Sequence, residues 1–166
     1  MERELLRRRA ARVLVVDADD RLLLLRGTDP AVPGPRFWWT VGGGLEPGES
    51  ARAGAVRELH EETGLLVAEA ALVGPVHRDS SSFAFDRWWV EQENDFFAVR
   101  VEGWTTAPAA LEATETASID GAGWWTLEQL RAHVEGRRHD GPGRPEEPVY
   151  PDDLPDVLAA ALAALA

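Results

Sequence analysis

The sequence predicts an α/β protein in which helices cover both faces of a mixed β-sheet. Apolar segments rich in β-branched residues recur along the chain, as expected of buried strands. One helical segment precedes several of these strands, over residues 50–64, and another follows them, over residues 152–166. Strands bracketed by helices pack most simply as a sheet between two helical layers.

The composition predicts one acidic domain over residues 1–166. The length of 166 residues, of which 45% are hydrophobic, suffices for one sizeable core. A net charge of -12 disfavours nucleic acid and anionic membranes as partners. The absence of cysteine excludes disulfides and thiol catalysis. No segment resembles a signal peptide or a membrane span, so we expect a cytoplasmic protein.

The first third of the chain predicts three strands. Residues 11–17 and 21–26 read as a hairpin that turns at Asp17–Asp20. Residues 27–36 contain three prolines and two glycines and predict a loop. Residues 37–41 predict a short aromatic strand that leads into a glycine-rich turn.

A helix is predicted between Ser50 and Gly64. Ser50 is the expected N-cap, and Gly64 is the expected C′ residue that follows the helix. Its packed side is expected to contain Ala53, Val56, Leu59 and His60.

The middle of the chain predicts further strands. Residues 65–73 read as a strand that ends at Gly74-Pro75. Residues 83–90 and 95–101 read as two strands paired through Glu91–Asn94.

The last third predicts a polar loop, a short strand and two helices. The loop covers residues 103–118, and Gly123-Trp124-Trp125 forms the strand. Thr126 caps a helix near residues 127–135. We expect residues 136–151 to be mobile or draped over the surface. The C-terminal helix over residues 152–166 carries a leucine stripe that packs on the domain or contacts a second copy, giving a homodimer.

Three glutamates in the first helix indicate a metal site. Glu58, Glu61 and Glu62 stand at i, i+3 and i+4, so they share one helical face. Like charges at this spacing repel, and a divalent cation would resolve the conflict. Carboxylate oxygens suit Mg²⁺, and the preceding glycine-rich turn suits phosphate.

The segment that carries these residues resembles the Nudix box, the signature of the Nudix hydrolases. All nine constrained positions match without a gap; they are Gly43, Glu49, Arg57, Glu58, Leu59, Glu61, Glu62, Gly64 and Leu65. The resemblance implies the family's α/β/α sandwich and a diphosphohydrolase.

The resemblance also implies roles for the box residues. Glu58, Glu61 and Glu62 would bind Mg²⁺, with Mn²⁺ as the alternative, and the Gly43 carbonyl would be a further ligand. Arg57 and Glu49 would pair and orient the metal-binding glutamates. Members of the family differ in the carboxylate that takes the proton of the attacking water.

The candidates for this general base fall in two parts of the chain. One is a glutamate within the box, which here means Glu61 or Glu62. The other is a glutamate in a loop before a late strand, where Glu115 is preferred over Glu112.

The aromatic residues suggest where a substrate would bind. Six of the seven tryptophans occur as adjacent pairs, and neighbours in a strand point to opposite faces. Trp38 or Trp39, beside the box, is the candidate for stacking on a nucleobase. Arg36, Arg78 and Arg87 are candidate phosphate contacts, with surface pairing to the many acidic residues as the favoured alternative. Phe83 stands near the position where dinucleoside polyphosphate hydrolases tend to carry tyrosine, but it lacks the hydroxyl.

These observations predict metal-dependent hydrolysis of a diphosphate bond in a nucleotide or a nucleoside-diphosphate derivative. Val41 and Ser81 stand where some subfamilies carry proline, so no subfamily marker selects the substrate. Two alternatives remain, namely a nucleotide-sensing module without catalysis and an RNA 5′-end pyrophosphohydrolase. The expected partner is therefore a small nucleotide-type molecule.

Overall fold

The computed structural model describes residues 2–102 and 119–166, which form a seven-stranded mixed sheet with three α-helices. The strands are β1 (Glu4–Val16), β2 (Leu22–Asp29), β3 (Val32–Gly44), β4 (Val73–Phe85), β5 (Trp88–Arg100), β6 (Ile119–Trp125) and β7 (Val149–Tyr150). The helices are α1 (Ala51–Thr63), α2 (Leu127–Val134) and α3 (Leu154–Leu165), and a short 3-10 turn covers Glu69–Ala71.

The strand order is β4-β5-β1-β2-β3-β7, with β6 paired to β2. β1 runs parallel to β5 along its whole length, from Glu4 opposite Trp88 to Val16 opposite Arg100. β3 and β7 are also parallel, whereas the pairs β1–β2, β2–β3 and β4–β5 are antiparallel. The predicted mixed sheet is confirmed.

Helices cover both faces of this sheet because alternate strand residues point to opposite sides. Val13 and Val15 of β1 join a cluster under α1, which contributes Leu59. Leu14 and Val16 join the opposite cluster, which includes residues of α2 and α3. The predicted α/β/α arrangement is therefore confirmed.

The predicted loop at residues 27–36 is wrong, because β2 and β3 extend into a tight hairpin. Asp29 pairs with Val32, and Arg26 pairs with Trp38. Pro33 and Pro35 lie in the exposed start of β3, where a missing N–H is tolerated.

The predicted strand over residues 65–73 is also wrong. The 3-10 turn occupies Glu69–Ala71, and β4 begins only at Val73. The strand then continues through Gly74-Pro75, where its register against β5 shifts before His77.

The turn between β4 and β5 lies at Asp86-Arg87 and not at the predicted Glu91–Asn94. Asp86 has φ 53°, a left-handed conformation that aspartate tolerates better than most residues. Gln92 and Asn94 are instead buried within β5, where the Gln92 amide donates to Asn94 Oδ1 at 2.7 Å. The sequence does not show that these two side chains bond to each other. Their polarity therefore led to the prediction of a turn.

The segment over residues 136–151 is anchored by buried side chains, and short β7 lies within it. Glu147 is 3% exposed, and Val149 packs in the core next to β3. The sequence predicted that this segment runs over the surface. It did not predict that Glu147 and Val149 are buried, because both contact residues that are distant in the sequence.

The C-terminal helix α3 has the predicted leucine stripe. Leu154 and Leu158 are fully buried, and Leu162 and Leu165 pack partly against the same cluster. The alternative of a dimer contact stays a prediction. None of the helices within residues 2–102 and 119–166 is long and apolar enough to span a membrane.

Candidate active site

Helix α1 is held at both ends as the sequence predicts. Ser50 Oγ accepts a hydrogen bond from the Ala53 amide at 3.1 Å, and Gly64 ends the helix with φ 78°. The buried side consists of Gly54, Ala55, Leu59 and Thr63. The prediction of His60 on that side is wrong. His60 is exposed, because it is rotated by about 100° from Leu59, which belongs to the buried stripe of Ala55, Leu59 and Thr63.

Two box glutamates lie against the glycine turn at the end of β3. The Gly42 amide donates to Glu62 Oε1 at 3.2 Å. A Cβ on Gly43 would lie only 2.7 Å from Glu58 Oε1. The absence of a side chain at Gly43 therefore lets the Glu58 carboxylate approach the strand end, where the Gly42 amide holds Glu62.

Glu62 carries a buried carboxylate with an unused oxygen. Its Oε2 atom is buried from solvent and has no hydrogen-bond partner within the described residues. Burial raises the pKa of Glu62 well above its ordinary value, and the negative charge of Glu58 raises it further. An unpartnered carboxylate oxygen beside a second carboxylate suits a divalent cation, which would offset both penalties.

Arg57 links the loop before α1 to the glutamates, as predicted. Its guanidinium donates to both Glu49 oxygens at 2.8 Å, and its Nη2 also donates to the Gly44 carbonyl at 3.1 Å. Its Nη1 reaches Glu58 at 3.1 Å and Glu61 at 3.2 Å. One side chain thus fixes two helix glutamates relative to the glycine turn.

The electrostatics of this fork are strong. The hydrogen bonds from Arg57 are the main cause that lowers the pKa of Glu49 to about 2. The pKa of Arg57 is raised in turn, chiefly by its hydrogen bonds to Glu49. Both groups therefore stay charged across the neutral range.

The other predicted catalytic and metal-binding residues have fewer described contacts within the site. Glu61 is about half exposed and contacts Arg57. Gly43 lies on the strand end beside Glu58. Glu115 and Glu112 lie outside the described residues.

Two arginines on β1 were missed by the sequence analysis. Arg12 shares a sheet face with Leu14, and its Nη1 donates to the carbonyls of Thr40 at 3.3 Å and Gly42 at 3.0 Å. Burial lowers its pKa, whereas the charge of Glu62 opposes that shift. Arg8 lies four residues before Arg12 on the same face of β1 and interacts electrostatically with Glu58. For Arg12 the available signal was a single charged residue within the otherwise apolar segment 11–16.

A chain of polar side chains extends from Arg8 across β5 to β4. Arg8 Nε donates to Gln92 Oε1 at 2.9 Å, and the Gln92 amide donates to Asn94. Asn94 Nδ2 then donates to Asp79 at 2.8 Å and to Ser81 at 3.0 Å. Hydrogen-bonded polar side chains therefore continue from the glutamates along the α2 and α3 face of the sheet.

The structure separates the two tryptophans proposed for stacking. Trp38 is 2% exposed, and its Nε1 donates to Glu147 at 3.1 Å. The prediction for Trp38 is wrong, because its ring lies in the core against Trp125. Trp39 is half-buried, with its ring centroid 5.1 Å from that of Phe37, and stays a candidate.

Arg36 and Phe83 lie on different strands. Arg36 is exposed on β3 and pairs with Asp120 at 2.5 Å, and this contact raises its pKa. Phe83 is half-buried on β4, at the same strand parity as Asp79 and Ser81. Arg36 is therefore committed to an ion pair, whereas Phe83 borders the polar chain.

Comparison with known proteins agrees with this architecture. The NUDIX domain profile matches residues 6–144. The chain belongs to the Nudix family.

One similar relative is a protein of Bacillus subtilis described as "Putative 8-oxo-dGTP diphosphatase", 33% identical over 107 residues. The match covers 64% of this chain and only 60% of that relative. Similar solved structures include a MutT protein of Methanosarcina mazei, with 15% identity and TM-score 0.58 over 98% of this chain and 96% of the other. A C. elegans Ap4A hydrolase has 14% identity and TM-score 0.59 over 95% and 97% of the two chains. At this identity the structures establish the fold alone.

Proposed function

We propose that the protein hydrolyses a diphosphate bond in a nucleotide or nucleoside-diphosphate derivative, in a reaction that depends on a divalent metal. The observation that carries this proposal is the unpartnered, buried Oε2 of Glu62 beside the Glu58 carboxylate. Family membership and the similarity to a protein described as an 8-oxo-dGTP diphosphatase support the same class of reaction.

The metal-binding residues in this proposal are Glu58, Glu61, Glu62 and the Gly43 carbonyl. Mg²⁺, or Mn²⁺ in its place, would neutralise phosphate charge and lower the pKa of a bound water. Glu58 and Glu62 are already held against the strand end, so little rearrangement is needed to bind the ion.

Arg57 acts in this proposal as a positioning residue. It contacts Glu49, Glu58, Glu61 and the Gly44 carbonyl together, so the carboxylates enter the reaction in fixed orientations. A bidentate fork resists rotation in a way that a single ion pair does not.

Proton removal from water requires a carboxylate near the metal. Glu62 has a raised pKa without a cation and an oxygen free of hydrogen bonds. Glu61 and Glu115 are the other candidates, and Glu115 lies beyond the described residues. We propose that one of these three takes the proton, with Glu112 as a further alternative to Glu115.

The substrate side of the site is proposed from the surrounding side chains. Arg8 and Arg12 lie near Glu58 and Glu62 and could neutralise phosphate charge beside the acidic cluster. Trp39 is the proposed stacking residue, and Phe83 adds a second aromatic surface. Arg36 would have to exchange its Asp120 partner for phosphate.

The test measures release of phosphate and pyrophosphate from a nucleotide panel with Mg²⁺ or Mn²⁺. The panel contains (d)NTPs, 8-oxo-dGTP, nucleotide sugars, ADP-ribose and dinucleoside polyphosphates. Glu62→Gln should lose at least 100-fold in kcat, whereas Glu69→Gln, an exposed control on the 3-10 turn, should keep wild-type turnover.

The outcomes separate the alternatives. Nucleotide binding without turnover by the folded, metal-loaded protein would favour a sensing module. Preference for a 5′-triphosphorylated oligonucleotide over every free nucleotide would favour RNA 5′-end processing. Equal turnover in wild-type protein and Glu62→Gln would refute the assignment of the site.

A further inference from the structure

A second group of potential metal ligands lies outside the box, between β4 and the start of α3. It consists of His77, Asp79 and Asp153, and one ligand atom from each lies within 4.8 Å of the other two. His77 and Asp79 stand two apart on β4, so both side chains point to the face of the sheet that carries α3.

The imidazole of His77 has a nitrogen whose environment a simple ion pair does not explain. Its Nε2 atom is fully buried and has no hydrogen-bond partner within the described residues. It lies 3.6 Å from Asp79 Oδ2 and 3.8 Å from Asp153 Oδ2. An imidazolium that donated to either carboxylate would approach it to about 2.8 Å. The nitrogen instead lies between the two oxygens at nearly equal distances.

These separations suit a shared cation. A tetrahedral Zn²⁺ with nitrogen and oxygen ligands at about 2.0–2.2 Å holds the ligand atoms about 3.3–3.6 Å apart. The 3.6 Å separation lies at the upper end of this range, and the 3.8 Å separation lies just above it. One imidazole and two carboxylates together supply a borderline donor set with two negative charges, which suits Zn²⁺, Co²⁺ or Mn²⁺ better than Mg²⁺.

The neighbouring groups hold two of the side chains in place. Asn94 Nδ2 donates to Asp79 Oδ1 at 2.8 Å, which leaves Oδ2 directed toward His77. The Phe96 ring meets the imidazole edge to face at 5.3 Å. Such contacts orient the ligands of protein metal sites.

Asp153 is also placed for coordination. It occupies the N-cap position of α3, yet its side chain makes no capping hydrogen bond. Its carboxylate faces His77 instead and is about half exposed, so an ion can reach the group from the side of Asp153.

We propose that His77, Asp79 and Asp153 form a second divalent-metal site, selective for Zn²⁺-like ions, that ties the N-terminus of α3 to β4. This site draws no ligand from the Nudix box, so it would persist if the box glutamates were neutralised. Its predicted effect is structural, since it joins the last helix of the chain to β4, an edge strand of the sheet.

Co²⁺ titration followed by visible absorption tests the proposal, because tetrahedral Co²⁺ absorbs strongly. The titration uses Glu58→Gln/Glu62→Gln protein, which weakens the box as a competing site. We expect one bound Co²⁺, an affinity at least tenfold lower after adding His77→Gln, and a value within twofold after adding Asp152→Asn. Asp152 is the exposed neighbour of Asp153 and provides a matched change in charge.

Nitrogen-15 NMR of the imidazoles in wild-type protein gives a test that needs no variant to fold. Zn²⁺ should move the His77 Nε2 resonance to a metal-bound position and leave the exposed His60 unchanged. The proposal is overturned if Zn²⁺ at 1 mM leaves His77 unchanged, if both His77 nitrogens are protonated as in a plain ion pair, or if His77→Gln binds Co²⁺ as tightly as its parent.

Discussion

Arg26 and Glu147 stand 121 positions apart in the chain and form an ion pair of 2.6 Å between Nη2 and Oε2. The second Glu147 oxygen accepts hydrogen bonds from Trp38 Nε1 at 3.1 Å and from the Arg144 amide at 2.9 Å. One buried carboxylate therefore joins β2, β3 and the segment before β7.

Glu147→Gln should lower the free energy of unfolding by about 2–4 kcal/mol, because it removes the close charge partner of the partly buried Arg26 and leaves only Asp120 at 4.0 Å. Urea unfolding at pH 7 measures this difference. Glu146→Gln, one residue earlier and exposed, should change stability by less than about 0.5 kcal/mol. Equal effects of the two changes would contradict the role assigned to Glu147.

The same carboxylate predicts a stability loss in acid. Burial alone would raise the pKa of Glu147, but hydrogen bonds from the Arg144 amide, Arg26 and Trp38 outweigh it and hold the pKa below the ordinary 4.5. The stabilisation is then complete above pH 4.5 and is lost as pH falls through the lower folded-state pKa. The stability difference between wild type and Glu147→Gln should therefore shrink below pH 4.5 and stay constant above pH 6.

A pair of histidines predicts a second pH dependence. The Gly141 amide donates to His139 Nδ1 at 3.0 Å, so His139 carries its proton on Nε2 and donates to His133 Nδ1 at 2.8 Å. His133 Nε2 then donates to the Glu147 carbonyl at 2.6 Å. A further proton on either ring would set two donors against each other.

Burial, together with the charge of His133, lowers the pKa of His139 below 6.5, although Asp140 opposes the shift. The unfolded chain then takes up the proton first, so stability should fall as pH drops below 6.5 and be unaffected above it. Urea unfolding between pH 8 and pH 5 should show a smaller slope for His139→Asn than for wild type. His60→Asn, at an exposed site, should keep the wild-type slope.

Two adjacent glycines at the end of β3 should respond differently to alanine. A Cβ on Gly42 would lie 2.1 Å from the Ala11 carbonyl oxygen, and Gly42 has φ 136°. Both conflicts involve backbone, so Gly42→Ala should destabilise the fold by more than about 2 kcal/mol. Thermal unfolding measures this loss.

Gly43→Ala should fold but bind metal weakly. Its Cβ would lie 2.7 Å from Glu58 Oε1, which is the end of a movable side chain. Displacing that carboxylate should weaken Mn²⁺ binding at least tenfold with little change in stability. Mn²⁺ binding followed by electron paramagnetic resonance tests this, and unchanged affinity would exclude Glu58 as a ligand.

Arg57→Lys should lower kcat about 10- to 100-fold at nearly unchanged stability, because lysine keeps the charge but cannot form the fork with Glu49. Turnover with saturating substrate and Mg²⁺ measures the effect. Arg131→Lys, on α2 and away from the box, is the control. A loss confined to KM would argue against a positioning role.

The local features of the site were predictable, whereas its distant partners were not. The box spacing gave α1, its Ser50 cap and the Arg57–Glu49 fork, since each depends on residues close in sequence. Arg12 and Asn94 were missed because their partners come from other strands. Trp38 and Trp39 could not be told apart, because the sequence does not reveal which sheet face Glu147 closes.

The fold shows the same division. The cap at Thr126 and the stripe on α3 follow from nearby residues and are confirmed. The turn at Asp86-Arg87 was missed because the polar run at Glu91–Asn94 has better turn composition. That run is extended because Gln92 and Asn94 bond to each other along β5 and to Arg8 on β1 and Asp79 on β4.

The parallel pairing of β1 with β5 has a consequence for synthesis on the ribosome. Each residue from Glu4 to Val16 pairs with a residue 84 positions later in the chain, between Trp88 and Arg100. A nascent chain that ends before Arg100 can form the β2–β3 hairpin and α1 but leaves one edge of its first strand without its final neighbour. We therefore expect the sheet to form fully only after more than half of the chain has emerged from the ribosome. Until then the unpaired edge of β1 is available for pairing with strands of other chains.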